Sequence, residues 1–145
     1  MKILTVFIAI LLTFVNLALC EEIESLSRSF KTPENLIRWM STNLVHQWTF
    51  PDKPKTSEEV LRSRSGDCDD FATLASDMLR FIGITSAVVV IRFRGLAAGH
   101  AICAWEREGG GYSFISNKEL THTQCSTLPD LLKRFYPDFK SYRIL

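Results

Sequence analysis

No run of basic residues marks this chain. Over 145 residues, 17 Lys and Arg stand against 16 Asp and Glu, a formal net charge of +1, and composition gives no electrostatic case for a nucleic-acid partner. No internal repeat and no low-complexity tract is visible. Cysteine is scarce, at four residues, and these do not combine with the three histidines at zinc-ligand spacing, so neither a metal centre nor any other cofactor is expected. The glycine run Gly109 to Gly111 is a turn rather than a phosphate loop, because no helix follows it. What is present is an ordinary globular composition, 46% hydrophobic and 23% charged, in a length that fits one domain.

The one long apolar run lies at the start. After Met1-Lys2, residues Ile3 to Leu19 are apolar apart from Thr5, Thr13 and Asn16, and Glu21, Glu22 and Glu24 then change the composition abruptly. This is the layout of a secretory signal peptide over 1–20, with the folded domain over 21–145. Ala18-Leu19-Cys20 offers a cleavage site before Glu21. Leu17-Ala18-Leu19-Cys20 resembles a bacterial lipobox with Cys20 as the lipid carrier, and the run is just long enough to remain as an anchor. Each alternative makes the domain exported: periplasmic, cell-surface or secreted. Three cysteines then remain, Cys68, Cys103 and Cys125, an odd number for an oxidising compartment. Either Cys103 and Cys125 pair and leave Cys68 free, or all three are reduced.

Along the domain, Thr32-Pro33-Glu34 reads as a helix start, and the apolar face Leu36, Ile37, Met40, Leu44 predicts a helix to about Gln47. Thr56 and Glu59 form a capping-box pattern opening a short helix over 57–64. Phe71, Leu74, Ala75, Met78, Leu79 and Ile82 recur at helical steps, so a buried helix runs from Cys68 to Ile82 and stops at Gly83. Thr85 to Phe93 predicts a buried strand. His100 to Arg107 predicts another, with Ala101, Cys103 and Trp105 on one face and His100, Ile102 and Ala104 on the other. Glu108 to Gly111 turns the chain into a third strand, Tyr112 to Ser116. Lys118 to Ser126 reads as loop, a short helix follows Thr127, and Phe139 to Leu145 reads as an edge strand. Helices followed by a meander make an α+β domain.

Cys68 therefore sits at or just before the first turn of a buried helix, where unpaired N–H groups and the helix dipole favour a thiolate. Asp67, Asp69 and Asp70 oppose this by like charge. They are explained more simply as helix-start stabilisers than as a calcium site. Thiol chemistry needs an imidazole to take the thiol proton and a third group to hold the ring. His100 opens its strand beside Gly99, and the hairpin brings it near Ser116 and Asn117. His46 and His122 read as surface or packed residues. Gln47 is a weak candidate donor to an oxyanion.

Gly66-Asp67-Cys68-Asp69-Asp70-Phe71-Ala72, then Leu79, Gly83-Ile84, a valine-rich strand and Gly99-His100-Ala101, strongly resemble the transglutaminase-like superfamily over about Trp39 to Asn117. The resemblance implies a papain-like α+β core, with N-terminal helices and the nucleophile helix packed on a small antiparallel sheet. It also implies a Cys-His-Asp triad, with Cys68 as nucleophile and His100 as general base. The third position departs from the pattern. Counting from Tyr112, Ser116 takes the aspartate's place and Asn117 lies one residue on. Asn117 is the expected orienter, because an amide oxygen can hold imidazole as in papain-like enzymes, and Ser116 is the alternative.

The function expected is that of an exported thiol hydrolase or acyltransferase of small bacterial type. It would act on amide or peptide bonds through a cysteine acyl-enzyme, with a protein, peptide or cell-wall peptide as substrate and membrane attachment only through the N-terminal segment. The alternative is a binding module whose site has lost its third member.

Overall fold

The computed structural model describes residues 23–48 and 53–145. The expected signal peptide and the processing at Cys20 lie outside the described residues. Among those described, no helix is long and apolar enough to cross a membrane.

A helix over residues 23–30 (α1) leads into α2 (Pro33–Asn43), β1 (Val45–His46), α3 (Ser57–Ser63), β2 (Ser65–Gly66) and α4 (Cys68–Phe81). A five-stranded sheet follows: β3 (Ala87–Phe93), β4 (Gly99–Glu106), β5 (Tyr112–Ser116) and β6 (Glu119–His122), then α5 (Leu128–Phe135) and β7 (Phe139–Ile144). The sheet order is β6-β5-β4-β3-β7, antiparallel throughout. α4 lies over β4 and β3. Its face Phe71, Leu74, Ala75, Met78 and Leu79 is buried with Ala101, Cys103 and Trp105. The opposite face, with Ile102, Ala104 and Phe114, is covered by Leu128, Leu131 and Leu132 of α5. The expected α+β architecture and strand parity hold, and the sheet separates two apolar layers.

That separation settles the cysteines. Cys103 is buried on the α4 face and Cys125 packs on the α5 face, so the bridge does not form and Cys68, Cys103 and Cys125 are all free thiols. Two expectations of local structure fail. The helix predicted to Gln47 ends at Asn43, because the next residues pair elsewhere: Val45 N–H donates to Arg64 O at 2.8 Å and Gln47 N–H to Gly66 O at 2.8 Å. The predicted loop 118–126 contains β6, because β5 supplies an edge to pair with and sheet context outweighs polar composition.

The β1–β2 pair is parallel, with His46 opposite Gly66, and it anchors the turn that enters α4. Asp70 locks this turn from inside. Its buried carboxylate accepts the Lys55 N–H at 2.7 Å and the Asp67 N–H at 3.2 Å. Gly66 leaves the room: a Cβ there would lie 2.7 Å from Asp70 Cβ, 2.9 Å from Asp70 Oδ2 and 3.2 Å from Phe71 Cε1. Phe71 is fully buried and the Gly66 carbonyl is tied to β1, so neither side yields easily. Gly66→Ala should therefore destabilise the fold by about 1–3 kcal/mol, as overpacking does, read as a lower urea midpoint at unchanged slope. An unchanged midpoint would show that the turn is not close-packed.

Candidate active site

Cys68 is the first residue of α4, half-buried, with Asp67 at the N-cap. Its thiol is within hydrogen-bonding reach of the backbone of Ala101 on β4 and of Asp69 on its own helix. His100 lies next to Ala101 at the start of β4. Cys68 and His100 line the same cleft, which has two arms. One arm, of about 230 Å³, runs between the start of α4 and the β3–β7 edge. The other, of about 460 Å³, is bordered by His46, Trp48, Asp67 and Asn117. The nucleophile and base expected from the sequence are thus brought to one groove.

At the third position the structure places the alternative, Ser116, and not Asn117, against His100. His100 Nε2 lies 2.8 Å from Ser116 Oγ, and Asn117 forms no hydrogen bond with His100. Its amide oxygen is buried without a hydrogen-bond partner among the described residues. The reason is strand parity. Ile102 is opposite Ser116 across β4 and β5, so Ser116 is on the face of Ile102 and His100. Asn117 comes after the strand, in a two-residue turn between Ser116 and Glu119, with a left-handed φ of 52° that asparagine tolerates.

A fourth residue, Tyr136, was not foreseen. It caps α5, with its ring centroid 5.7 Å from that of His100 and 6.3 Å from that of Phe114, and its phenol is near Ser116 and Cys68. The helical step from buried Leu132 to position 136 was the available signal. His46, expected at the surface or packed, is exposed but borders the cleft, with its ring edge on Phe71. His122 lies elsewhere, between Ser113 Oγ at 2.7 Å and Glu34 at 3.3 Å. Gln47 is exposed and does not line the cleft.

Electrostatics set the resting state. Burial pushes the Cys68 thiol above its ordinary value. The charges of Asp67 and Asp69 add to this, while the hydrogen bonds to the Ala101 and Asp69 backbone oppose it. Burial also holds the His100 imidazole below its ordinary value, with His46 adding to the effect. Burial likewise raises the Tyr136 phenol. The free site therefore rests as neutral thiol, neutral imidazole and neutral phenol. Alkylation of Cys68 by iodoacetamide should accordingly rise with pH through one step above the ordinary thiol value. A reactive plateau persisting below pH ~6.5 would instead reveal a preformed thiolate–imidazolium pair.

Asp67, Cys68 and Asp69 bring ligand atoms within 4.8 Å of one another. Carboxylates and a thiolate are a poorly matched set for one cation, since hard ions take oxygen and soft ions take sulfur. The N-cap placement accounts for the acids without an ion.

A family model described as the transglutaminase-like superfamily matches residues 18–119. The chain belongs to the transglutaminase-like superfamily. Among solved structures, it resembles LapG of Legionella pneumophila with a TM-score of 0.53 at 14% identity, over 83% of this chain and 80% of that one. It also resembles a candidate cysteine protease from Cytophaga hutchinsonii with a TM-score of 0.56 at 11% identity, over 87% of this chain and 50% of that one. At these identities the likeness is one of fold. No curated protein matches. The superfamily match ends before α5 and β7, so Tyr136 and the β7 side of the cleft belong to the part of this transglutaminase-like chain that the family model does not cover.

Proposed function

We propose that this transglutaminase-like protein is an exported thiol enzyme that cleaves or transfers amide bonds through an acyl-enzyme on Cys68, with peptides or proteins, cell-wall peptides included, as substrates. The observation that carries the reading is the shared cleft of Cys68 and His100, with His100 Nε2 on Ser116 Oγ at 2.8 Å. In the productive tautomer Nε2–H donates to Ser116 and Nδ1 is left to receive the thiol proton. As the Cys68 sulfur adds to the carbonyl carbon, the proton passes to His100. When the C–N bond breaks, His100 returns it to the departing amine. Water or a second amine then attacks the thioester, His100 takes its proton, and the sulfur leaves, giving an acid or a new amide.

A specific observation keeps the binding-module reading in view: the third position holds a neutral serine, and burial disfavours the thiolate. One experiment separates the two. The protein is treated with a peptidyl chloromethyl ketone and the modified residue is mapped by mass spectrometry. Modification at Cys68 much faster than N-acetylcysteine reacts supports the enzyme. A rate at Cys68 no greater than that of the free thiol supports the module. Export is tested by the mass of the mature protein. A domain starting at Glu21, a lipidated Cys20 or a retained anchor in an envelope or medium fraction fits export, whereas an unprocessed cytosolic chain does not.

A further inference from the structure

We propose that the smaller arm of the cleft is a carboxylate-recognition subsite, in which Arg92 and Arg143 hold an acidic group of the substrate beside Cys68. This deepens the thiol-site reading and rests on it for the word substrate, though the subsite is measurable without it.

The argument starts from strand register. Arg143 of β7 is opposite Val90 of β3, and Arg92 of β3 is opposite Ser141 of β7. Arg92 and Arg143 are therefore diagonal neighbours on one face, at a backbone spacing of about 7–8 Å, within reach of long side chains. It is the face that α4 covers, since Val88 and Val90 pack into the α4 layer. α4 lies over β4 and β3 but leaves β7 exposed. The gap between helix and edge is the arm of about 230 Å³, walled by Cys68, Asp69 and Thr73 on one side and by Arg92 and Arg143 on the other.

Two guanidiniums side by side repel. Among the described residues neither forms an ion pair: Asp69, across the arm, does not reach either one. Arg92 Nη1 donates only a long 3.4 Å hydrogen bond to Ala97 O. Both side chains are exposed. The N-terminal end of α4 faces the same space, but Asp67 and Asp69 there oppose its dipole, so attraction for an anion in this arm comes from the two arginines. A planar carboxylate matches such forks in geometry and charge. The ligand class is thus a peptide-like amide bearing a carboxylate within a few bonds of the scissile carbonyl, from an acidic side chain or a free α-carboxyl.

Three matched alkylating probes test this: bromoacetyl-Glu-NH2 with a side-chain carboxylate, bromoacetyl-Gln-OH with an α-carboxylate, and neutral bromoacetyl-Gln-NH2. In each, a bond from the Cys68 sulfur to carbon forms, the C–Br bond breaks, and bromide and the thiol proton depart. Rates at Cys68 are taken from peptide mapping. Each acidic-to-neutral ratio is divided by the same ratio for N-acetylcysteine. At least one acidic probe should show a preference of about tenfold, the size of one charge-assisted hydrogen bond. The probe that shows it identifies the carboxylate source. Arg143→Glu and Arg92→Ala should each collapse the preference. In the unmodified protein the preference should also fall steadily with added salt, which keeps the test decisive if a variant does not fold. Ratios equal to those of the free thiol for both acidic probes would overturn the subsite. Because any accessible thiol alkylates, that outcome is distinct from failure of the enzyme reading, which shows as an acylation rate at Cys68 that His100→Ala leaves unchanged at neutral pH.

Discussion

Replacing His100 with alanine should slow acylation of Cys68 by a peptide electrophile about 10²–10⁴-fold, the usual contribution of a positioned general base. The size follows from the resting state. Burial and two neighbouring carboxylates hold the thiol protonated, so the nucleophile exists only when a base removes the proton. With the imidazole gone, the remaining route is ionisation to solvent from a group already shifted upward. The loss should be greatest near neutral pH and should shrink as pH rises toward the thiol's own range. That convergence separates removal of a base from damage to the fold, which would lower the rate at every pH. An unchanged rate at neutral pH would show that His100 takes no part, and the binding-module reading would then stand.

The second large effect runs the other way. Ser116→Asp should accelerate acylation, by about tenfold or more, because an orienter's negative charge can be worth up to about 10⁴ in a triad. Ser116 Oγ already lies 2.8 Å from His100 Nε2, and Tyr136 stands beside it as a further donor for the new carboxylate. The same substitution should raise the His100 pKa, measured by NMR titration of the imidazole. The stability consequence changes sign with it. At present the folded imidazole titrates below its unfolded value. The stability this contributes is therefore present above about pH 6.5 and is lost as pH falls through the folded value. With a carboxylate at 116 the folded value rises above the unfolded one. The contribution is then present below about pH 6.5 and is lost as pH rises through the folded value. If neither the imidazole titration nor the acylation rate responds, Ser116 is a packing partner and not an orienter.

Ser116 and Asn117 also show where a sequence stops being enough. Both were in view, and the choice between them depended on whether the strand ended before or after position 117. Chemical preference favoured the amide, while pleat parity favours the hydroxyl, and parity could be applied only once Ile102 was known to sit opposite Ser116. Tyr136 was harder to see. It is separated from His100 by 36 positions along the chain, and its approach depends on α5 packing on the far face of the sheet.

What the sequence determined by itself is the part governed by local chemistry. The period of Phe71 to Leu79 made α4 and put Cys68 at its first turn. The alternation across Ala101 to Trp105 assigned the faces of β4, and the caps at Thr32, Thr56 and Thr127 opened three helices where expected. Those signals act over a few residues and need no partner to be read. Only the tertiary structure decided that β6 exists, that Cys103 and Cys125 face opposite layers, that Ser116 meets the imidazole, and that Arg92 and Arg143 line one cleft with Cys68 from strands far apart in the chain. Each of these depends on which strand lies beside which and in what register. Register is set by burying the whole apolar set of both faces at once, not by the few residues at any one site.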